Sequence, residues 1–118
     1  MEQNLKLEIA ITDTLKDLGI PAHLNGYVLL KDAVLYGLSR NGEKFSMMQM
    51  YKYIGWRRRV EGHCVERNIR KAVEMAATRA NPETWKEFFG FSVAAERGRP
   101  TNGEFVNTLV EYFRLREI

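Results

Sequence analysis

Apolar residues in the first part of the chain recur at helical spacing. The segment from about Asn4 to Leu18 has apolar residues on one helical face at Leu7, Ile11, Leu15 and Leu18. Its first half also alternates with period 2, as a strand would, at Leu5, Leu7, Ile9 and Ile11. The length of the segment favours the helix. Gly19, followed by Pro21, predicts that the helix ends there.

Two further apolar segments follow, each after a turn signal. Asn25-Gly26 predicts a turn before a helix from Tyr27 to about Leu38, with apolar residues at 27, 30, 34, 35 and 38. Ser39-Arg40-Asn41-Gly42 predicts a loop. A short apolar segment then runs from about Ser46 to Trp56.

The segment from His63 to about Arg79 has the most regular helical pattern in the chain. Its apolar residues form one continuous stripe at Val65, Ile69, Ala72, Val73 and Ala76. The polar residues lie on the opposite side of the helical wheel, at His63, Arg67, Arg70, Lys71, Glu74 and Thr78. Glu66 and Cys64 flank that polar face on either edge.

Two more helices complete the predicted fold. Asn81 is a predicted N-cap with Pro82 at the first helical position, opening a short helix that Gly90 closes. Thr101-Asn102-Gly103-Glu104 is a predicted capping box, followed by inward residues at Phe105, Val106, Leu109, Val110 and Phe113. About six helices without a convincing pair of strands predict one all-α domain over residues 1–118, a compact helical bundle.

The composition narrows the class of protein. A chain of 118 residues and 13.7 kDa is long enough for one domain with its own core. One cysteine excludes an internal disulfide, and with two histidines it excludes a zinc site of Cys and His alone. No apolar run approaches the roughly 20 residues of a membrane helix, and no signal peptide is evident. The sequence therefore predicts a cytoplasmic protein without metal or cofactor.

Positive charge is concentrated in one part of the chain. The net charge of the whole chain is only +3. Residues 57–79 carry seven basic and three acidic side chains, whereas residues 1–56 are neutral and residues 80–118 have a net charge of −1. Such concentration is typical of an anion-binding face. A solvated helix whose charges pair at i and i+4 explains the same composition, and the charge count alone does not separate the two.

The spacing over residues 46–79 predicts a helix-turn-helix. A tight link near Arg58–Gly62 joins the short apolar helix to the amphipathic one, and Gly55 lies where the helices must approach closely. Val65, ten positions later, anchors the second helix, which is the predicted recognition helix at about 63–79. The alternative is an ordinary helical hairpin with a charged outer face.

DNA binding by this motif assigns roles to the basic side chains. The recognition helix directs Arg67, Arg70 and Lys71 outward, and in the major groove an arginine reads guanine while a glutamate accepts from cytosine. The link carries three further arginines predicted to contact phosphate, Arg57, Arg58 and Arg59. In a second basic element, Arg97-Gly98-Arg99-Pro100, two arginines around a glycine suit a narrow minor groove. A polar loop between helices explains these four residues better, and the contact predicted from Arg97 or Arg99 is to phosphate.

Several short motifs from Leu7 to the end of the chain occur in the same order, and at nearly the same spacing, as in one known family. They are Ile20-Pro21-Ala22-His23, Gly26-Tyr27, Val65-Glu66-Arg67, Ile69-Arg70, Ala72, Phe89-Gly90-Phe91-Ser92-Val93, Pro100-Thr101-Asn102, Glu104-Phe105 and Leu115. In these motifs the chain resembles the C-terminal effector domain of the stage zero sporulation master response regulators, which are transcription factors of spore-forming Firmicutes.

The resemblance implies a six-helix domain that binds a short promoter element. It implies base contacts from Glu66 and Arg67, with Arg70 and Lys71 nearer the DNA backbone, and His63 is expected to face the groove. In the family the surface around the helix that follows the recognition helix touches RNA polymerase. Double-stranded DNA is therefore the expected partner, with RNA polymerase and a second copy of the chain on DNA as further candidates.

Three residues depart from the family pattern, and they keep a second hypothesis open. Cys64 stands where the family typically has an arginine, Arg58 where an aromatic side chain is usually buried, and Arg59 at a turn position that favours Asn or Gly. The receiver domain that normally precedes this domain is absent from these 118 residues. The leading hypothesis is a sequence-specific regulator of transcription without enzymatic activity. The alternative is a protein-interaction module on the same fold that binds a partner regulator or RNA polymerase without reading DNA.

Overall fold

Six α-helices make up the described part of the chain. The computed structural model describes residues 2–97 and 99–116, with side chains described for residues 4–90 and 99–116. The helices are α1 (Glu2–Asp17), α2 (Asn25–Ser39), α3 (Met47–Arg58), α4 (Gly62–Arg79), α5 (Pro82–Arg97) and α6 (Asn102–Arg116). No strand occurs within these ranges. The predicted all-α fold class is confirmed.

The first segment is a helix along its whole length, and the strand alternative is excluded. Its buried residues, Ile11 and Leu15, follow helical spacing, whereas Leu5 and Ile9 are exposed to solvent. Helix α1 ends at Asp17, two residues before Gly19, which has a φ of 89°. A positive φ suits glycine because it has no Cβ, so the chain reverses there as the sequence predicts.

Helix α2 lies at the centre of the bundle. It packs most extensively against α4 and α6, and over smaller areas against α1 and α3. The core therefore combines residues from every part of the chain, among them Leu30, Val34, Ile69, Phe105 and Leu109, all fully buried. Among the described residues the core contains no buried polar or charged side chain. No described helix is both long and apolar enough to cross a lipid bilayer.

Helix α5 is interrupted in the middle. The N-cap is as predicted, because the Asn81 side-chain oxygen accepts from the backbone N–H of Glu83 at 2.9 Å. Gly90 has φ 72° and ψ −176°, which breaks the helix where the sequence predicts its end. The chain then resumes helical geometry to Arg97, so the predicted short helix is only the first part of α5. The buried Trp85 ties this part to the end of α1 by donating from Nε1 to the carbonyl of Leu18 at 2.8 Å.

The last helix begins with the predicted capping box. The backbone N–H of Thr101 donates to Glu104 Oε1 at 2.8 Å, and the backbone N–H of Glu104 donates to Thr101 Oγ1 at 3.1 Å. Each side chain thus satisfies a backbone donor that the helix leaves free. The inward residues are all buried as predicted, at Phe105, Val106, Leu109, Val110 and Phe113.

Replacing Thr101 with alanine is expected to lower the free energy of unfolding by about 1 kcal/mol, because the Glu104 N–H loses its acceptor. Urea denaturation followed by circular dichroism measures the change. Thr101→Ser keeps the hydroxyl and should retain most of the stability. An alanine variant as stable as the parent protein would show that the capping box does not stabilise α6.

Candidate nucleic-acid interface

Helices α3 and α4 are joined by a link of three residues, 59–61, and together form a hairpin. Arg59 ends α3 in the left-handed region, with φ 60° and ψ 42°, which is costly for a residue with a Cβ. The next N–H, from Val60, donates to the carbonyl of Gly55 at 2.9 Å. A Cβ at Gly55 would lie 2.5 Å from the carbonyl oxygen of Val60. The small residue at 55 is therefore required by the link as well as by the start of α4.

Helix α4 has the predicted division between a buried and a polar face. Its buried residues are those of the predicted apolar stripe, Val65, Ile69, Ala72, Val73 and Ala76. His63, Arg67, Arg70 and Lys71 are exposed on the outside. Arg67 and Lys71 take part in no ion pair among the described residues, and the only polar contact that the structure gives Arg67 is a long one, 4.0 Å from Nη2 to Cys64 Sγ. These two cations are therefore available to an external anion.

Arg70 forms ion pairs within the protein, whereas Arg67 and Lys71 on the same helix form none among the described residues. Its Nη1 donates to both carboxylate oxygens of Glu66, at 2.7 and 2.6 Å. Its Nε lies 3.8 Å from Glu74 Oε1, and Glu74 Oε2 lies 3.6 Å from Arg99 Nη2. These four residues form an ion-pair network with equal numbers of acidic and basic groups. The i,i+4 pairing that the charge count left open is thus present for Arg70, and the network brings Arg99 against the outer side of α4.

A bridge centred on Asn102 joins α6 to the hairpin. The Asn102 side-chain amide donates to the Tyr51 hydroxyl at 3.2 Å and to the backbone carbonyl of Glu66 at 3.1 Å. Burial raises the pKa of the Tyr51 hydroxyl above its ordinary value. Sequence reasoning placed Asn102 only inside the capping box. Its side chain lies between α3 and α4 because of tertiary packing, and a local sequence pattern does not predict such contacts.

Replacing Asn102 with alanine is expected to lower the free energy of unfolding by about 1 kcal/mol, the net value of such hydrogen bonds. Asn107→Ala is the matched control, because the Asn107 amide donates to the carbonyl of Gly103, within α6 and at the surface. Equal urea midpoints for the two variants would contradict a bracing role of the Asn102 bridge.

The arginines at the end of α3 point in different directions. Arg58 donates to both carboxylate oxygens of Asp32 on α2, from Nε at 2.7 Å and from Nη2 at 2.9 Å. This hydrogen bonding raises the pKa of the Arg58 guanidinium above its ordinary value. Arg57 lies beside the ring of Tyr53, 6.0 Å from its centroid. Arg57 and Arg59 are in no ion pair among the described residues. The phosphate contacts predicted for all three stay predictions.

The remaining predicted site residues are at the start of α4 and before α6. His63 is exposed, and its Nδ1 lies 3.3 Å from Glu61 Oε2, while Cys64 is half-buried. The side chain of Arg97 lies outside the described residues. Within the described ranges no group of three or more His, Cys, Asp and Glu residues is placed to hold a metal ion. The structure thus brings His63, Glu66, Arg67, Arg70, Lys71 and Arg99 to one outer face around α4.

A comparison with models of known protein families adds an independent finding to this geometry. The model described as "Sporulation initiation factor Spo0A C terminal" matches residues 11–113 of the chain. The matched range begins in α1 and ends in α6, so it includes both helices of the hairpin and the Asn102 bridge.

Proposed function

The chain belongs to the Spo0A C-terminal family of DNA-binding domains from sporulation initiation factors, and from this premise we propose that it is a sequence-specific regulator of transcription. In this proposal α4 enters the major groove of double-stranded DNA. The observation that carries the proposal is a pair of exposed cations, Arg67 and Lys71, on the outer face of the helix that follows a three-residue link, neither of which takes part in an ion pair among the described residues.

Base reading is proposed for the part of α4 nearest the link. Arg67 is long and free enough to donate two hydrogen bonds to one guanine, and Glu66 on the adjacent edge accepts from a cytosine amino group. His63, one turn earlier, faces the same groove. Because Arg70 holds the Glu66 carboxylate in the free protein, Glu66 reaches the base edge either with Arg70 still attached or by exchanging it for cytosine.

Phosphate contacts are proposed for the cations around this helix. Lys71 on α4, Arg59 in the link and Arg99 before α6 are all exposed, and Arg99 contacts Glu74 on α4. Such contacts position the protein on the duplex without reading sequence. They also make affinity fall with salt, since each neutralised phosphate releases a counterion.

Replacing Lys71 with alanine is therefore expected to weaken binding about equally on every duplex. The slope of log affinity against log salt concentration should become shallower by about 1. Titration of labelled duplexes at several salt concentrations measures both quantities. A loss confined to one sequence would mean that Lys71 reads a base.

Selection from a library of random DNA duplexes tests the proposed function directly. An enriched motif whose recovery depends on Arg67 supports the regulator. If no motif is enriched even at low salt, the alternative applies, in which the same fold is a protein-interaction module. The departures at Arg58, Arg59 and Cys64 make this a meaningful test, because Cys64 lies next to the base-reading residues where the family typically has an arginine.

Further partners and the location in the cell belong to the proposal as well. Binding next to RNA polymerase would use the surface around α5, which follows α4 along the chain. A second copy bound to an adjacent site on DNA would give a homodimer only in the complex. A regulator acting in this way works in the cytoplasm, at the nucleoid.

A further inference from the structure

Four aromatic side chains form a row of ring contacts: Tyr36 on α2, Phe45 in the segment after it, and Tyr53 and Trp56 on α3. The ring centroids of Phe45 and Tyr36 are 5.6 Å apart, those of Tyr36 and Tyr53 5.4 Å, and those of Tyr53 and Trp56 6.3 Å. The row ends at Trp56, which is 77% exposed, more than any other large apolar side chain among the described residues. Exposing an indole to this extent leaves apolar surface without a partner in the protein.

A groove of about 450 Å³ lies beside this aromatic row, between α2 and α3. Leu35, Tyr36 and Ile54 contribute apolar lining, and Arg40 and Arg57 contribute the positive charge. This volume lies within the range of small-ligand pockets, and it accommodates one large side chain with part of its backbone. The α2–α3 groove thus has an apolar lining together with two cationic side chains.

The charged residues that line the α2–α3 groove are two arginines and one aspartate, and the aspartate is already paired with a residue outside this lining. Asp32 also lines the groove, but both of its oxygens accept hydrogen bonds from Arg58. Arg40 and Arg57 are in no ion pair among the described residues. Arg58, which departs from the family pattern, therefore leaves the other two arginines free to bind an external anion.

The groove is on the side of α3 that faces away from the recognition helix. Tyr51 and Gly55 face the other way, toward the Asn102 bridge and the link. Each is two residues from a groove residue, Tyr53 and Arg57, and two residues on a helix turn the side chain by about 200°. A molecule in the groove and a duplex on α4 would therefore occupy different faces, an arrangement that does not include the phosphate contact predicted for Arg57.

We propose that the α2–α3 groove binds an acidic peptide segment of a partner protein, with one apolar side chain seated between Arg40 and Arg57. Carboxylates of the segment would pair with the two guanidinium groups, which favour planar, bidentate partners. Trp, Tyr and Arg are also the residue types that dominate binding energy at protein interfaces. A DNA backbone offers the anions but no apolar group for the lining, and so the charge and the apolar surface together favour a peptide. This proposal does not depend on DNA binding by α4.

Selection from a library of displayed random 12-residue peptides, using the full 118-residue chain, tests the proposal. The enriched peptides should be acidic and contain an aromatic residue or leucine. A synthetic copy of one such peptide, labelled for fluorescence polarisation, should bind at least about tenfold more weakly to Trp56→Ala and to Arg40→Glu, as expected for exposed Trp and Arg side chains that an interface covers. Lys44→Glu makes the same change in charge on an exposed residue outside the groove and should retain most of the affinity.

Two further measurements decide what a positive or negative result means. Circular dichroism of each variant should match the parent protein, because Trp56 and Arg40 are exposed and contribute no core contact. Binding of the variants to a duplex, measured in parallel, should be unchanged. The proposal is overturned if no acidic peptide is enriched or if Arg40→Glu and Lys44→Glu weaken peptide binding equally. It is also overturned if Trp56→Ala and Arg40→Glu weaken duplex binding as much as peptide binding, since the groove would then be a nucleic-acid contact.

Discussion

Replacing Arg67 with alanine is expected to weaken binding to the preferred duplex by about 1–3 kcal/mol and to remove the preference at one base pair. Arg67 is exposed, has no ion-pair partner among the described residues and contributes nothing to the core. Its removal therefore leaves the fold unchanged, so the loss in affinity reports on the contact with DNA. Competition among duplexes that differ at single positions measures both effects.

Arg79→Ala is the matched control for that variant. Arg79 is exposed in the last turn of the same helix, and its removal changes the net charge by the same amount. It should cost much less affinity, and equally on all sequences. If Arg67→Ala and Arg79→Ala behave alike on every duplex, α4 does not read bases and its charge acts only through the overall field.

The contrast between Arg67 and Arg70 shows why a charge count does not locate a binding site. Both arginines are on the outer face of α4, and the sequence assigns both to DNA. Arg70 is held by Glu66 and Glu74, whereas Arg67 takes part in no ion pair within the described part of the chain. A free guanidinium binds DNA without first breaking an ion pair, and a paired one must exchange partners. The net charge of residues 57–79 therefore overstates the number of cations available to DNA.

Features that depend on neighbours in sequence were predicted well. The apolar stripe of α4, the reversal of the chain at Gly19 just after α1 and the capping box of α6 all follow from spacing within a few residues, and all three are present. Arg59 likewise adopts the left-handed conformation expected of its turn position. The sequence also predicts that a short helix ends at Gly90, and in the structure the helical geometry of α5 is interrupted at this residue.

Features that depend on tertiary packing were not predicted. The Arg58–Asp32 pair joins residues 26 positions apart, and the Asn102–Tyr51 bond joins residues 51 positions apart. No periodicity in the sequence connects such residues, because their distance is set by how α2 and α6 pack on the hairpin. The groove between α2 and α3 was missed for the same reason: its residues are spread over two helices and the loop that joins them.

Gly26 links the packing of the bundle to the placement of the recognition helix. It is the second residue of α2, at the point where α2 crosses α4. A Cβ built there would collide with the carbonyl oxygen of Asn68 and would lie 2.6 Å from the Cβ of Ala72. Both neighbours belong to α4, and one of them is backbone, which cannot rotate away. The two helices are thus as close as a residue without a side chain allows.

Replacing Gly26 with alanine is expected to lower the free energy of unfolding by about 1–3 kcal/mol, because α4 must shift to relieve the overlap. The direction of this change in stability is informative, since alanine in a helix is otherwise more favourable than glycine.

Gly103→Ala in the first turn of α6 is the control. A Cβ at Gly103 would lie at an ordinary contact distance of 3.6 Å from Met47 Cγ, so this variant should be as stable as the parent protein or slightly more stable. Urea denaturation of both variants compares their free energies of unfolding. A duplex titration of Gly26→Ala should also show weaker binding, because the shifted helix carries Arg67. A Gly26→Ala protein no less stable than Gly103→Ala would mean that α2 and α4 do not approach as closely as the structure places them.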